Sequence, residues 1–168
     1  PLARPASGRG TEEQEKFMAD TAVSDHPAVQ EQLNRLGTLS PGRDVLGLER
    51  ITELMKRLGN PHLSLPPVFH VAGTNGKGST CAYLRAALEA DGRTVHVFTS
   101  PHLVRFNERI RIAGALIDDE TLARALKETL DIGGDIGASF FEVTQAGAFM
   151  LVATSPGDAC VIGVGVRG

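Results

Sequence analysis

The stretch HVAGTNGKGST, residues 70–80, decides the fold because it joins a strand-like segment to a helix-like segment through glycines. PVFHVA (67–72) is short and apolar, which is typical of a buried strand. STCAYLRAALEADG (79–92) has one apolar face and ends at a glycine, which is typical of a helix. A strand that turns into a helix in this way exposes several backbone N–H groups. Together with the helix dipole, those groups form an anion site.

The glycines and the lysine of this loop predict that the anion is a phosphate. Phosphate oxygens can approach a backbone that lacks Cβ atoms, and Lys77 adds a charge that can reach the outer phosphates. The spacing departs from the common pattern G-x-x-x-x-G-K-[ST]: Val71 replaces the first glycine and Gly78 the hydroxyl that binds Mg²⁺. Either Ser79 or another segment must then provide a metal ligand. The alternative, a glycine-rich turn with a surface lysine, does not account for the strand–loop–helix context.

Strands and helices alternate along the rest of the chain. This alternation predicts a three-layer α/β domain of the P-loop NTPase-like type, with a mainly parallel sheet. A sheet of three parallel strands, with the last strand of the chain at its edge, would be unusually small. We therefore expect a truncated domain. The predicted helices are 24–37 (capped by Ser24 or Asp25), 48–58, 79–92, 118–130 and 140–153, and the predicted strands are 67–72, 94–99 and 158–166, with a hairpin at Ala113-Gly114.

Composition limits the classes of function. The 168 residues carry a net charge of −3, from 17 basic and 20 acidic side chains, which argues against nucleic acid or an anionic membrane as the main partner. No segment is apolar enough for a membrane span or a signal peptide, so we expect a cytoplasmic protein, as a monomer. Residues 1–24 are rich in Pro, Gly, Ser and charge and are predicted to be a disordered tail. Cys81 and Cys160 are expected to be buried, reduced thiols.

Four segments together resemble one enzyme family. HVAGTNGKGST and TSPHLVRFNERIRI (99–112), with LGNPH (58–62) and FFEVTQAGAF (140–149), are similar to the folylpolyglutamate synthase / dihydrofolate synthase family of Mur-type ligases. The resemblance covers roughly residues 45–166. A Mur-type ligase of cell-wall synthesis is a weaker match because of the TSPHL and NERI segments.

The resemblance implies an ATP-dependent ligase that uses Mg²⁺. Such enzymes phosphorylate a carboxylate of folate or dihydropteroate, and the amine of L-glutamate then attacks the acyl phosphate. The residues that inherit ATP binding are Gly73, Thr74, Asn75, Gly76, Lys77, Gly78, Ser79 and Thr80, with Lys77 as the catalytic residue. Ser100 matches a Mg²⁺ ligand. The residues that match the border of the folate site are His102, Arg105, Phe106, Asn107, Glu108 and Arg109.

The resemblance breaks at the end of the chain. In the family a glutamate that binds Mg²⁺ stands where this chain has Gly163, and Arg167 replaces a small residue. We expect residues 25–168 to match only the N-terminal part of the ATP-binding domain, without the family's C-terminal domain, which binds glutamate. We therefore expect an inactive fragment of the ligase, or alternatively a non-catalytic nucleotide-binding module. Dihydrofolate synthesis and polyglutamate extension both stay open.

Several single residues have two interpretations. Glu142, in an apolar helix, is either a buried carboxylate paired with an arginine or backbone donor, which we favour, or a ligand of the metal or folate. His102 is either a substrate residue or a loop-packing histidine. His70 and His96 are expected to be core or edge histidines. Arg109 and Arg111 either face an anionic substrate or line a solvated hairpin face, and for Arg111 we favour the hairpin face.

Overall fold

A computed structural model describes residues 23–39, 47–73 and 75–164. In these ranges the structure has five strands and five α-helices, in the order that the three predicted strands, the hairpin and the five predicted helices have along the chain. The strands are β1 (Val68–Val71), β2 (Val95–Thr99), β3 (Ile110–Ile112), β4 (Ala115–Leu116) and β5 (Ala159–Gly163). The helices are α1 (Pro27–Gly37), α2 (Glu49–Arg57), α3 (Lys77–Ala90), α4 (Asp119–Gly133) and α5 (Phe140–Ala153), and short 3₁₀ turns cover Pro61–Ser64 and Phe106–Arg109. The predicted tail over 1–24 lies almost wholly outside the described residues.

The sheet has the strand order β1-β5-β2-β3-β4. β5 pairs in parallel with β1 on one side and with β2 on the other, and β3 and β4 extend the sheet as an antiparallel hairpin. The mainly parallel α/β sheet is confirmed, but the last strand lies inside it and not at its edge. Every residue of β5 is buried, as a strand covered on both faces requires.

Two apolar clusters on opposite faces of the sheet make the three predicted layers. Val161 of β5 packs with Cys81 of α3 on one face, whereas its neighbours Cys160 and Ile162 belong to the larger cluster of the other face. That larger cluster includes side chains from α1, α2, α4 and α5. α5 is buried along most of its length, as its apolar sequence predicted. Both cysteines are buried and free, also as predicted.

Two helices, α1 and α3, begin more than one residue away from the predicted position. α3 begins at Lys77, two residues early, because Gly76 adopts a left-handed conformation (φ 75°) and turns the chain directly into the helix. α1 begins after His26, which makes no side-chain cap bond, so the predicted capping by Ser24 or Asp25 is wrong. The Ser24 hydroxyl instead accepts a hydrogen bond from the His26 N–H at 3.2 Å.

Glu142 is a paired carboxylate at the start of α5, which confirms the favoured interpretation. The Glu142 carboxylate accepts the backbone N–H of Ser139 at 2.7 Å, and the Ser139 hydroxyl accepts the backbone N–H of Glu142. These two hydrogen bonds form a capping box. The Glu142 carboxylate also contacts the Arg50 guanidinium on α2, with Nε–Oε2 at 3.2 Å. This partly buried ion pair joins α2 to α5.

The strand histidines are a core residue and an edge residue, as expected. His96 on β2 is fully buried and its Nδ1 accepts the Ala113 N–H at 3.1 Å, whereas His70 on the edge strand β1 is exposed. A Cβ at Gly157 would lie 2.1 Å from His96 Nε2, so the His96 side chain leaves room only for a glycine at position 157. No helix of the described residues is long and apolar enough to cross a membrane.

We predict that His96 makes folding stability depend on pH. Burial lowers the pKa of His96 below its usual 6.5, so the unfolded chain binds more protons than the folded chain below that pH. The stability that the neutral imidazole contributes is complete above about pH 6.5. It falls as the pH decreases from there towards the folded-state pKa, by up to about 1.4 kcal/mol per pH unit.

Urea denaturation of the chain between pH 7.5 and pH 5.5 measures this dependence. His96→Asn keeps an acceptor for the Ala113 N–H but cannot be protonated, so its stability should fall less with acid than that of the unmodified chain. His70→Asn is the matched control for an exposed strand histidine and should keep the full dependence. An unchanged pH dependence in His96→Asn would contradict the assignment.

Candidate functional site

The glycine loop leaves β1 at Val71 and enters α3 at Lys77. Gly73 (φ 148°) and Gly76 (φ 75°) adopt backbone conformations that side chains with a Cβ rarely reach. A Cβ placed on Gly73, Gly76 or Gly78 would meet no atom within 4 Å. The space beside all three glycines is therefore open, and a ligand oxygen can approach the backbone there.

Lys77 is held within the loop that precedes it. Its Nζ donates a hydrogen bond to the Gly73 carbonyl oxygen at 2.6 Å, which places the positive charge beside the glycines. Thr80, one turn along α3, donates its hydroxyl to the Gly76 carbonyl oxygen at 3.0 Å. Asn75 and Ser79 are exposed on the same turn. The predicted ATP-binding residues thus lie together, except Thr74, which is outside the described residues.

The ends of three parallel strands meet beside this loop. In the sheet register Gly163 lies between Val71 and Thr99, the last residues of β1 and β2. The Ser100 N–H donates to the Gly163 carbonyl oxygen at 3.1 Å. The predicted metal ligand Ser100 therefore lies at the same edge of the sheet as the glycine loop, which is the edge where open α/β sheets bind ligands.

Gly163 offers no metal-binding side chain and has little space for one. A Cβ at this position would lie 2.5 Å from Cys81 Sγ and 3.2 Å from Thr99 Cγ2. Within the described ranges, no group of three or more His, Cys, Asp or Glu side chains is arranged to hold a metal. Ser79 and Ser100 carry neutral hydroxyl groups, and their role as metal ligands stays a prediction.

The loop after Ser100 is fixed by the carboxylate of Glu108. Its two oxygens accept the backbone N–H groups of Leu103, Val104 and Arg105 at 2.8, 3.0 and 2.8 Å. These hydrogen bonds hold the pKa of Glu108 below its usual value. Leu103 and Val104 remain 92% and 79% exposed, so Glu108 stabilises the loop while its apolar tip stays in solvent.

Arg105 and Asn107 connect the loop to the start of α4. The buried Asn107 amide donates to the Ile117 carbonyl oxygen at 3.0 Å and to Asp119 Oδ1 at 3.1 Å, and the exposed Arg105 pairs with Asp119 Oδ2 at 3.2 Å. With Glu108 they line a shallow depression of about 280 Å³. These contacts join the loop to α4, and a role in substrate binding stays a prediction.

The predicted substrate residues differ sharply in exposure. Phe106, Asn107 and Arg109 are buried, and Arg109 is only 1% exposed. His102 is half-buried and contacts both Arg109 and Phe106, as loop packing would require, and both interpretations of His102 stay predictions. Sequence reasoning missed Phe140, whose ring also contacts the Arg109 guanidinium, because nothing in the apolar sequence of α5 indicates this partner.

Comparisons with known proteins agree on one family. The chain is 45% identical over 113 residues to the dihydrofolate synthase/folylpolyglutamate synthase of Bacillus subtilis, covering 64% of this chain. Its fold matches the Escherichia coli enzyme in complex with DHPP and ADP, with a TM-score of 0.76, 36% identity and 86% of this chain covered. It also matches a bifunctional folylpolyglutamate synthase/dihydrofolate synthase with Mn, AMPPNP and L-glutamate bound, with a TM-score of 0.77, 35% identity and 88% coverage. No family model matches the sequence.

The similarity extends over only part of these proteins. The chain spans 26% of the Bacillus subtilis relative and 34% and 35% of the two solved structures. Within that part, the comparisons confirm the resemblance that the sequence motifs indicated.

We predict that the Cys81 side chain leaves room only for a glycine at position 163. Gly163→Ala places a methyl group 2.5 Å from Cys81 Sγ, so it should destabilise the fold by about 1–3 kcal/mol. Cys81→Ala removes that contact, and the double variant should therefore be more stable than the sum of the two single effects predicts. Urea denaturation of all four proteins measures the coupling. Additive effects would show that the two positions do not interact.

Proposed function

We propose that this chain, a relative of the folylpolyglutamate and dihydrofolate synthases in sequence and fold, is the nucleotide-binding part of an ATP-dependent amide ligase. The observation that carries the proposal is the glycine loop between β1 and α3. It combines an open backbone at three glycines, a positively charged side chain at Lys77 and the amino end of a helix.

The ATP phosphates would bind to this loop. Backbone N–H groups and Lys77 would carry the charge of the phosphates, and Ser79 and Thr80 would add hydroxyl groups. We propose that the Ser100 hydroxyl, which follows β2 at the same end of the sheet, would hold a divalent cation, and we take that cation to be Mg²⁺. Because the nearby protein donors are neutral, most of the cation's ligands would be phosphate oxygens and water.

The proposed reaction has two steps. A carboxylate oxygen of the acceptor attacks the γ-phosphorus of ATP, the bond to the bridging oxygen breaks, and ADP leaves. The amine of L-glutamate then attacks the acyl carbon of the acyl phosphate, inorganic phosphate leaves, and an amide remains. The glycine loop and Lys77 would stabilise the charge on the transferring phosphoryl group, and no residue of the chain need form a covalent bond.

The proposed acceptor is a folate or dihydropteroate carboxylate. A relative's solved structure holds DHPP with ADP, and another holds L-glutamate with AMPPNP and Mn. In this chain the loop from His102 to Arg109 begins at the same sheet edge as Ser100, and we propose that it borders the acceptor site. We further propose that the protein works in the cytoplasm, as a monomer.

Gly163 favours a second candidate function. A Cβ at this position would lie 2.5 Å from Cys81 Sγ, so the site would hold a nucleotide without the acidic ligand that the family resemblance implies at Gly163. The chain would then be a nucleotide-binding module without ligase activity. Both candidates bind ATP, and neither predicts that this chain by itself releases ADP in response to glutamate.

We predict that the purified chain binds MgATP and that Lys77→Ala weakens the affinity by about 10- to 100-fold, because the loop loses a charged hydrogen-bond donor. Isothermal titration calorimetry measures both affinities. Lys56→Ala, which removes an exposed lysine from α2, is the matched control and should bind like the unmodified chain. Equal affinities for the Lys77 variant and the unmodified chain would contradict the phosphate role.

ADP release by the same preparation tests the activity of the chain itself. With dihydropteroate and MgATP present, we expect no increase in ADP release when L-glutamate is added, because the site lacks an acidic metal ligand at Gly163. Glutamate-dependent release would show that this chain is a complete ligase and would exclude the non-catalytic module.

A further inference from the structure

Arg109 is a charged side chain enclosed by aromatic rings. Its guanidinium carbon lies 4.9 Å from the ring centre of Phe106 and 5.7 Å from that of Phe140, and the residue is 1% exposed. Burial lowers the pKa of Arg109 to about 10, so the guanidinium remains positive at neutral pH. Burying a charged group costs free energy unless its hydrogen-bond donors have acceptors. The acceptors of the Arg109 guanidinium therefore bear on its role.

One of these partners is a ring nitrogen of His102. Arg109 Nε lies 3.0 Å from His102 Nδ1. A guanidinium N–H can only donate, so Nδ1 must carry a lone pair and the proton of the neutral imidazole must be on Nε2. This assignment follows from the Nδ1 contact alone, whatever other contacts the ring makes. The hydrogen bond therefore selects one tautomer of His102.

The orientation of the His102 ring is also fixed. It packs against Phe106 with ring centres 5.6 Å apart and planes inclined by 47°. Phe106 in turn packs edge-on against Phe140 of α5, so the support continues into the apolar core. On the other side, Glu108 holds the backbone from Leu103 onwards.

Two charged side chains of the same loop, Arg109 and Glu108, interact with His102. Glu108 is already engaged by three backbone N–H groups, and the nearest arginine along the loop, Arg105, pairs with Asp119. The contact at 3.0 Å on Nδ1 requires the neutral form.

We propose that Arg109 is a positioning residue that holds His102 as the neutral Nε2–H tautomer, so that His102 serves the acceptor site as a hydrogen-bond donor and not as a proton acceptor. The part concerning the acceptor site rests on the proposed function. His102 lies two residues beyond Ser100 at the carboxyl end of β2, beside the proposed phosphate site. Arg109 itself need not touch a ligand.

A long-range ¹H–¹⁵N spectrum of the ¹⁵N-labelled chain at pH 7 tests the tautomer directly, with the His102 signals assigned by their loss in His102→Gln. We expect an unprotonated Nδ1 and a protonated Nε2. Arg109→Lys keeps the charge but removes Nε, and it should produce a mixture of tautomers. Arg111→Lys, a change on the hairpin face, is the matched control and should leave the His102 signals unchanged.

The unmodified chain decides the tautomer even if the Arg109 variant fails to fold. A protonated Nδ1, a doubly protonated ring or a mixture of tautomers in the unmodified chain would overturn the inference.

Binding of dihydropteroate in the presence of MgADP tests the donor role. His102→Gln can still donate a hydrogen bond, whereas the nearly isosteric His102→Glu is ionised at pH 7 and can only accept. We expect affinity within about threefold of the unmodified chain for the former, and a loss of about tenfold or more for the latter. Equal affinities of the two variants would overturn the donor role. If the unmodified chain binds no dihydropteroate, the proposed acceptor fails, and the spectrum alone decides the role of Arg109.

Discussion

Parallel pairing of β5 with both β1 and β2 is the interaction on which the candidate site depends. Because parallel strands end at the same edge, this pairing brings together the glycine loop after β1, Gly163 at the end of β5 and Ser100 after β2. The backbone hydrogen bond from Ser100 to Gly163 closes this arrangement. Without β5 between them, the loop and Ser100 would lie on strands that do not touch.

The local elements could be read from the sequence, and the sheet order could not. Alternating strand and helix patterns gave the layers, and HVAGTNGKGST gave the loop, because a glycine turn between a strand and a helix has few other uses. The position of β5 depends on contacts between distant segments, which periodicity does not record. The early start of α3 at Lys77 depends on the left-handed conformation of Gly76, which the sequence permits but does not require.

The parts of the candidate site that depend on backbone conformation could be predicted from the sequence. The parts that depend on contacts between distant side chains could not. The phosphate loop needs glycines and a lysine in a fixed order, and these are visible in the sequence. Burial of Arg109 depends on Phe140, which is 31 positions away, and the three N–H groups held by Glu108 depend on the path of the loop. A motif such as RFNERI therefore identifies the segment without separating its ligand-facing residues from its structural ones.

The central claim is that the glycine loop is a phosphate site, and amide NMR with ADP tests it residue by residue. In the ¹⁵N-labelled chain, we expect the largest ADP-induced shifts at the amides of Gly73 and Asn75 to Ser79, and much smaller shifts with adenosine, which has no phosphate. The start of α4 at Asp119, an ordinary helix beginning capped by Asp118, should not respond. Unshifted loop amides at saturating ADP, or equal shifts at the start of α4, would contradict the account.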